Sequence, residues 1–283
     1  MGLVITSPTM LSFSGGRTSG MMLDMLLDAH DRVLPDFVKV VFANTGKEMP
    51  QTLDFVNECS KRWNVPIVWL EYQSHEEPQK RWREVTYETA SRNGEPFADL
   101  ITHKNYLPNP TMRFCTIELK IRVMKLYAQQ VLGWKNWDVA IGFRSDEPSR
   151  VAKLSIPSSE PFERYAPLAS IGITAADVGK FWKGQPFDLN LPNMNGKTMH
   201  GNCDLCFLKG AGQTLSLVSE APSLADWWIE QESRPFSEKE LIAKTGKFRK
   251  DRPSYFEIKQ MAVSQGDFYG YEDVELADCG CTD

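Results

Sequence analysis

The stretch Thr9-Met10-Leu11-Ser12-Phe13-Ser14-Gly15-Gly16-Arg17-Thr18-Ser19 decides the fold of this 283-residue chain. A short apolar strand runs into two glycines, and a helical pattern starts directly after them. Glycines let the backbone turn sharply, and the amides at a helix start bind anions such as phosphate. The Walker spacing is absent. A phosphate-binding turn and a plain strand–helix turn both fit these residues alone.

Short apolar strands and amphipathic helices alternate beyond this turn. The predicted strands are 9–13, 38–44, 67–72 and 137–143. The predicted helices are 19–30, 51–63, 78–92, 116–132 and 175–183. This alternation favours right-handed crossovers, and it predicts a doubly wound, mostly parallel α/β sheet with helices on both faces.

The pattern changes near residue 190. A stretch rich in Pro, Asn and Gly covers 185–212, and mainly helical segments follow, predicted at 223–232, 237–244 and 254–265. We therefore expect a nucleotide-binding domain over residues 1–190 and a mainly helical, cysteine-containing region over 191–283.

Composition restricts the class of protein. The net charge of −5 and the pI near 5.5 argue against a general polyanion binder. No segment approaches the roughly 18 apolar residues of a membrane helix, and the first ten residues lack a secretory signal pattern. We expect a cytoplasmic protein without a membrane partner, so the six cysteines are ligands, nucleophiles or core thiols and not a disulfide framework.

Five motifs occur in a characteristic order: Ser14–Ser19, Asn44–Leu53, Arg113–Lys120, Gly142–Arg150 and Tyr165–Val178. Together they resemble the phosphoadenosine phosphosulfate (PAPS) reductase family of the PP-loop, or adenine nucleotide alpha-hydrolase, superfamily. The variants at 14–20 and 201–210 are similar to members of the family carried by phages and prophages. The resemblance implies a PP-loop fold with a helical C-terminal appendage.

The resemblance also implies a bound adenine nucleotide, ATP or PAPS, at the carboxyl ends of the strands. The implied nucleotide-binding residues are Ser12, Ser14, Gly15, Gly16, Arg17, Thr18, Ser19, Asn44, Thr45, Gly46, Lys47, Glu48, Arg113, Lys120, Gly142, Arg144 and Arg150. The cationic members would surround phosphate or sulfate groups. Thr18 stands where the family has Asp, so a carboxylate that would help to hold Mg²⁺ is missing from the loop.

Cys203-Asp204-Leu205-Cys206 has a spacing that brings two thiolates to one metal. Half of a metal site, a redox dithiol and coincidence all fit the spacing alone. The resemblance adds Cys115, at a position of cluster ligands in the iron–sulfur branch of the family. It implies a [4Fe-4S] cluster held by these three cysteines, as in some PP-loop tRNA-thiolating enzymes, with Cys281 as a candidate fourth ligand. Zinc, with His200 as a further ligand, is the alternative.

The chain ends in Asp278-Cys279-Gly280-Cys281, which is similar to the Glu-Cys-Gly segment of sulfonucleotide reductases. The resemblance implies that Cys279 is a thiolate nucleophile that attacks sulfur, and that Cys281 is a resolving thiol or a metal ligand. The family's following His is absent here. A chain terminus with incidental cysteines is the competing interpretation.

The leading functional hypothesis is an enzyme of sulfur metabolism, either a sulfonucleotide reductase regenerated by thioredoxin or glutaredoxin, or an ATP-dependent sulfurtransferase that uses a sulfur donor. One alternative is a nucleotide-binding regulatory module without turnover. Another is a protein that modifies nucleic acid by thiolation or phosphorothioation, with phosphate contacts from Lys244, Lys247, Arg249, Lys250 and Arg252. A solvated surface explains these charges more simply.

Overall fold

The computed structural model of the chain describes residues 3–194, 197–201, 203–236 and 246–265. Within these residues, no helix has both the length and the apolar character needed to cross a membrane.

A six-stranded sheet forms the centre of the molecule. Its strands are β1 (Thr9–Ser12), β2 (Val38–Asn44), β3 (Ile67–Glu71), β4 (Arg83–Val85), β5 (Trp137–Ile141) and β6 (Phe162–Tyr165). They lie in the order β4-β3-β2-β1-β5-β6, and all neighbours are parallel except β3 and β4. The chain order reverses beside β1, where β2 lies on one side and β5 on the other. Such a switch point is where open α/β sheets bind ligands.

Helices connect the strands and cover both faces of the sheet. In the first part of the chain these are α1 (Arg17–Asp28), α2 (Pro50–Arg62), α3 (Glu95–Lys104), α4 (Phe114–Thr116), a π-helical segment (Ile117–Arg122), α5 (Val123–Gln130), α6 (Pro148–Leu154), α7 (Pro167–Ser170) and α8 (Ala175–Lys183). Thr174 begins α8 with a capping box in which its hydroxyl and the Asp177 side chain each bond the other's backbone amide. After residue 190 follow α9 (Ala211–Glu220), α10 (Leu224–Glu232) and α11 (Tyr255–Gln265).

Alternate residues of the strands supply two separate cores. Leu11 belongs to the core between the sheet, α1, α2 and α8, whereas Met10 belongs to the core on the other face. That second core also contains Leu217, Trp228 and Ile258 from the last three helices. The described C-terminal helices therefore pack directly on the sheet domain. The predicted doubly wound, mostly parallel sheet with a helical C-terminal region is confirmed.

The predicted helix over 78–92 is wrong. This segment contains a single 3-10 turn, Pro78–Lys80, followed by strand β4. The reason is a buried carboxylate on the neighbouring strand: Glu71 accepts hydrogen bonds from the Arg83 guanidinium at 2.6 Å and from the Ser91 amide at 2.6 Å. These contacts favour an extended edge strand over helical periodicity. The elements that were not predicted are α3, α6, α7, α9, β4 and β6.

Candidate functional site

The predicted phosphate-binding turn lies between β1 and α1, beside the switch point. Gly15 has φ +77°, and a Cβ at this position would lie 2.6 Å from Thr52 Cγ2 on α2. The Ser14 hydroxyl donates to Ser19 Oγ at 3.0 Å, and Ser19 Oγ donates to the Gly16 carbonyl at 2.9 Å. Among the residues that the structure describes, no side chain caps the start of α1. The turn therefore presents uncapped helix amides, which suit an anion.

Gly142 follows β5 and lies against this turn. A Cβ at Gly142 would come within 3.2 Å of Ser19 Cα. The glycine thus allows the end of β5 to pack on the turn, which keeps the switch point compact.

Arg17 is buried and directs its side chain away from the turn. Its guanidinium makes two hydrogen bonds of 2.7 Å to the Asp188 carboxylate and one of 2.6 Å to the Leu191 carbonyl. The side chain instead holds the 188–191 segment to the sheet domain.

A group of paired charges follows β5. The Arg144 guanidinium donates to Thr18 Oγ1 at 3.1 Å and to Asp146 at 3.0 Å, and it is 3.4 Å from Glu147. Arg150 also pairs with Glu147, and its guanidinium carbon lies 4.2 Å from the centre of the Phe143 ring. The threonine that replaces the family's Asp is thus a hydrogen-bond acceptor for a buried arginine.

The turn after β2 is fixed by buried carboxylates. Asn44 Nδ2 donates to Glu71 at 2.7 Å, and Asn44 Oδ1 accepts from the Gly46 amide at 3.1 Å. Thr45 Oγ1 donates to Glu48 at 2.9 Å and lies 3.6 Å from Cys203 Sγ. This turn therefore touches the C-x-x-C segment directly.

Lys47 lies in this turn but points away from the β1–α1 turn. Its ammonium group forms a 2.8 Å ion pair with Asp204, and both side chains are more than nine-tenths buried. The lysine predicted to contact phosphate is thus engaged inside the protein.

A cavity of about 420 Å³ opens between the sheet and the π-helical segment. Five of the predicted nucleotide-binding residues line it: Ser12, Ser14, Arg113, Lys120 and Arg150. Its floor is apolar and comes from alternate residues of β1, β5 and β6, including Met10, Trp137, Val139 and Phe162. Its cationic lining also contains Lys125, Lys153 and Arg164, which sequence reasoning missed. Parallel packing of β6 beside β5 brings Arg164 here, and β6 itself was not predicted.

The three predicted metal-ligand cysteines converge on a second, much smaller cavity. Cys115, Cys203 and Cys206 line a space of about 20 Å³, the scale of one or two water molecules. Thr116 and Lys120 line both cavities, so the thiols and the large cavity are neighbours across one wall. Across the described ranges, no three His, Cys, Asp or Glu side chains are arranged to hold a metal ion. The residue types suit a metal centre, but this arrangement does not form one.

The remaining thiols and His200 lie elsewhere. Cys279 and Cys281 are outside the described residues. Cys59 is fully buried on α2, and burial raises the pKa of its thiol, as expected for a core cysteine. His200 Nε2 faces Glu220 at 3.3 Å and does not line the thiol cavity.

Three described members of the predicted basic run, Lys247, Arg249 and Arg252, have partners within the protein. Arg249 pairs with Asp251, and Lys247 pairs with Glu257 at 3.1 Å. Arg252 donates to the Lys209 carbonyl at 2.7 Å. Lys244 lies outside the described residues.

The doubly wound sheet, with its glycine turn between β1 and α1 at a switch point, is the architecture of a nucleotide-binding α/β protein. The model of the phosphoadenosine phosphosulfate reductase domain matches residues 8–172, which is more than half of the chain. The chain belongs to this family, as its five motifs predicted.

A related sequence comes from Escherichia phage lambda, the uncharacterized nin region protein ORF290. It is 34% identical over 206 residues, and the match covers 70% of this chain and 65% of the phage protein. The chain thus matches slightly less than two thirds of that relative's length. The predicted similarity to phage-borne members of the family is confirmed.

A solved structure of PAPS reductase from Candida auris, in complex with phosphate, also matches. The sequence identity is 17% and the TM-score is 0.41, over 66% of this chain and 80% of that one.

Proposed function

We propose that this chain is an enzyme that binds an adenine nucleotide and performs redox or sulfur chemistry. The favoured reaction is the reduction of the sulfate group of a sulfonucleotide. One observation carries the proposal: the large cavity and the thiol cavity share Thr116 and Lys120. A nucleotide in the large cavity would have one end close to the thiols. That arrangement suits transfer chemistry at the anionic end of the ligand.

The large cavity has the character of a nucleotide site. Its volume of about 420 Å³ falls within the usual range of ligand pockets, about 300–1,000 Å³. An apolar floor suits a base, and the arginines and lysines of the lining suit phosphate and sulfate groups. Arg113 and Arg164 both line the cavity, where their guanidinium groups would contribute positive charge to a ligand site.

The reduction has two covalent steps. The Cys279 thiolate attacks the sulfur of the phosphosulfate, the S–O bond to the phosphate breaks, and the nucleoside phosphate leaves with the electron pair. The product is a cysteine S-sulfonate. A second thiolate then attacks the cysteine sulfur, a disulfide forms, and sulfite leaves with the electron pair of the S–S bond. A dithiol protein of the thioredoxin or glutaredoxin class reduces the disulfide.

Lys120 is the cation best placed for the first step. It lines both cavities, and its ammonium group is 4.0 Å from Glu48. A positive charge on this wall would stabilise the negative charge that develops on the leaving phosphate.

ATP-dependent sulfur transfer is the second candidate. The convergence of three thiols on one cavity favours it, since such a set suits a sulfur carrier. The carboxylates near the glycine turn argue against it, because Asp146 and Glu147 both pair with arginines. Together with Thr18 in the loop, this leaves few groups to hold Mg²⁺.

We also propose that Cys115, Cys203 and Cys206 hold an iron–sulfur cluster after a local rearrangement, with zinc as the alternative metal. Thiolates are the donors of both kinds of site. Anaerobic purification with iron, sulfide and zinc analysis tests this for the wild type and Cys203→Ser. Bound iron and sulfide that disappear in the variant would support the cluster, and the absence of metal from both proteins would exclude it.

Nucleotide binding is tested by titration calorimetry with adenosine 3′,5′-bisphosphate and, separately, with ATP and Mg²⁺. We expect the bisphosphate to bind more tightly and Arg113→Gln to weaken it at least about tenfold, the loss of one charge-assisted contact. The exposed Arg62 provides a matched control, Arg62→Gln, which should bind like the wild type.

Turnover is tested by sulfite release from PAPS with a dithiol reductant, and Cys279→Ser should abolish it. Nucleotide binding without any product from PAPS or ATP would support the regulatory module instead. Equal activity of Cys279→Ser and wild type would contradict the assigned nucleophile.

A further inference from the structure

A buried ion pair joins the turn after β2 to the C-x-x-C segment. Lys47 Nζ lies 2.8 Å from Asp204 Oδ2, and the side chains are 9% and 7% exposed. Neither residue lines the large cavity or the thiol cavity. The pair therefore lies outside both cavities.

Backbone contacts make the two segments move as one unit. The Asp204 amide donates to the Lys47 carbonyl at 2.7 Å. Next to it, Glu48 and Cys203 form an antiparallel β-bridge. Any shift of the turn after β2 is thus passed to the first cysteine of the motif.

Aromatic side chains enclose the pair and remove it from water. The Lys47 ammonium lies 5.0 Å from the centre of the Trp227 ring, and Trp228 Nε1 donates to Asp204 Oδ1 at 2.8 Å. Gly94 has φ +83°, and a Cβ there would lie 2.5 Å from Trp227 and 2.7 Å from Lys47. In such surroundings a charge without its partner is strongly unfavourable. The segments are therefore either joined through the pair or substantially rearranged.

We propose that the Lys47–Asp204 pair couples nucleotide binding in the large cavity, which reaches the turn after β2 through the 4.0 Å contact between Lys120 and Glu48, to closure of the C-x-x-C segment over the thiol cavity. Both are positioning residues, since they act through Thr45, Glu48 and Cys203. The proposal rests on the proposed nucleotide-binding function. Because coupling between two equilibria is reciprocal, nucleotide stabilises the closed segment by the same factor as closure tightens nucleotide binding.

The test is hydrogen exchange of peptides covering residues 203–210, measured with and without adenosine 3′,5′-bisphosphate. The test variant is the double substitution Lys47→Met/Asp204→Asn. It removes both charges and keeps an acceptor for Trp228. Asp226→Asn is the matched control, because Asp226 pairs with Lys259 on the surface.

In the wild type and in Asp226→Asn we expect the nucleotide to slow exchange of this segment at least about fivefold. In the double variant the slowing should fall below about twofold, and calorimetry should show a dissociation constant weakened by the factor that was lost. The single variant Lys47→Arg, with Asp204 unchanged, retains the charge and should show most of the wild-type slowing. Loss of packing alone would not distinguish it from the double variant in this way.

The outcomes separate the two proposals. Wild-type protein that does not bind the bisphosphate would refute the proposed function and the coupling together. Binding without any change in exchange at 203–210 would refute only the coupling. Full nucleotide-dependent slowing in the folded double variant would also refute it. Should the double variant not fold by circular dichroism, Lys47→Gln/Asp204→Asn gives the same comparison, because it also removes both charges and leaves two amide side chains that can hydrogen-bond to each other.

Discussion

The two halves of the candidate site are held in place by different physical means. The β1–α1 turn depends on close backbone packing, because Gly15 and Gly142 leave no room for a side chain. The 203–209 segment depends on side-chain groups. The Tyr255 hydroxyl donates to the Leu205 carbonyl at 2.6 Å, and the buried Lys209 ammonium donates to the Met199 carbonyl at 2.9 Å.

This difference predicts that the two regions are destabilised by different kinds of substitution. A turn built from backbone contacts resists the loss of any single hydrogen bond but tolerates no added Cβ. A segment held by buried polar groups tolerates modest changes in volume but depends on every donor finding its acceptor. Substitutions in the two regions should therefore fail for opposite reasons.

The largest effect is expected for the buried ion pair of the 203–209 segment. Asp204→Ala leaves the Lys47 ammonium buried without its partner and removes the acceptor of Trp228. We expect a loss of about 3–5 kcal/mol in the free energy of unfolding, measured by urea denaturation. Asp226→Ala breaks an exposed pair with Lys259 and should cost less than about 1 kcal/mol. Similar losses in both variants would contradict the assigned role of burial.

Gly15→Ala tests the first region. The left-handed backbone costs a residue with a Cβ about 1–2 kcal/mol, and the 2.6 Å approach to Thr52 adds a steric penalty. We expect a total loss above about 2 kcal/mol, together with loss of nucleotide binding. Gly133→Ala is the control, because φ is +67° there and nothing lies within 4 Å of the added Cβ. Its cost should be the backbone component alone, so equal losses would exclude the packing argument.

The sequence was sufficient for the fold because its strong patterns are local. Val38–Asn44 and Ala175–Lys183 were predicted with their observed ends, since an apolar run and a capping box specify them within a few residues. The segment 78–92 was predicted wrongly because its structure depends on Glu71, which is distant in sequence. Tertiary hydrogen bonds there override the helical periodicity.

The candidate site was predictable only in part. Positions after strand ends were found by motif, and Arg113, Lys120 and Arg150 do line the large cavity. The direction of a side chain is not encoded in a motif, so Lys47 and Arg17 point into internal ion pairs. Asp204 was visible inside the C-x-x-C motif, but nothing near it in the sequence indicated its partner.

Tyr255→Phe sharpens the comparison with a smaller change. The substitution removes one hydroxyl that donates to the Leu205 carbonyl, and burial already raises the pKa of Tyr255 well above its usual value. We expect a loss of about 1 kcal/mol, the usual value for one buried hydrogen bond. Thermal unfolding measures it. A loss near zero would show that the 203–209 segment does not depend on this contact.

The smallest effect concerns Glu232, whose carboxylate accepts from the Phe248 amide at 3.1 Å and from the Tyr255 amide at 2.8 Å. Burial raises its pKa above the ordinary 4.5, so the folded state binds this proton more tightly than the unfolded state. The resulting stabilisation is complete below pH 4.5 and is lost as the pH rises through the folded pKa. Glu232→Gln keeps an acceptor and carries no such dependence.

Urea unfolding of Glu232→Gln and the wild type between pH 4 and pH 8 should therefore show a difference that grows in favour of the variant as the pH rises and then levels off. Its size should stay below about 1 kcal/mol, because solvent screens a partly exposed carboxylate. A difference that grows in favour of the wild type instead would mean that the two amide hydrogen bonds outweigh burial. The described C-terminal helices would then depend on the negative charge of Glu232.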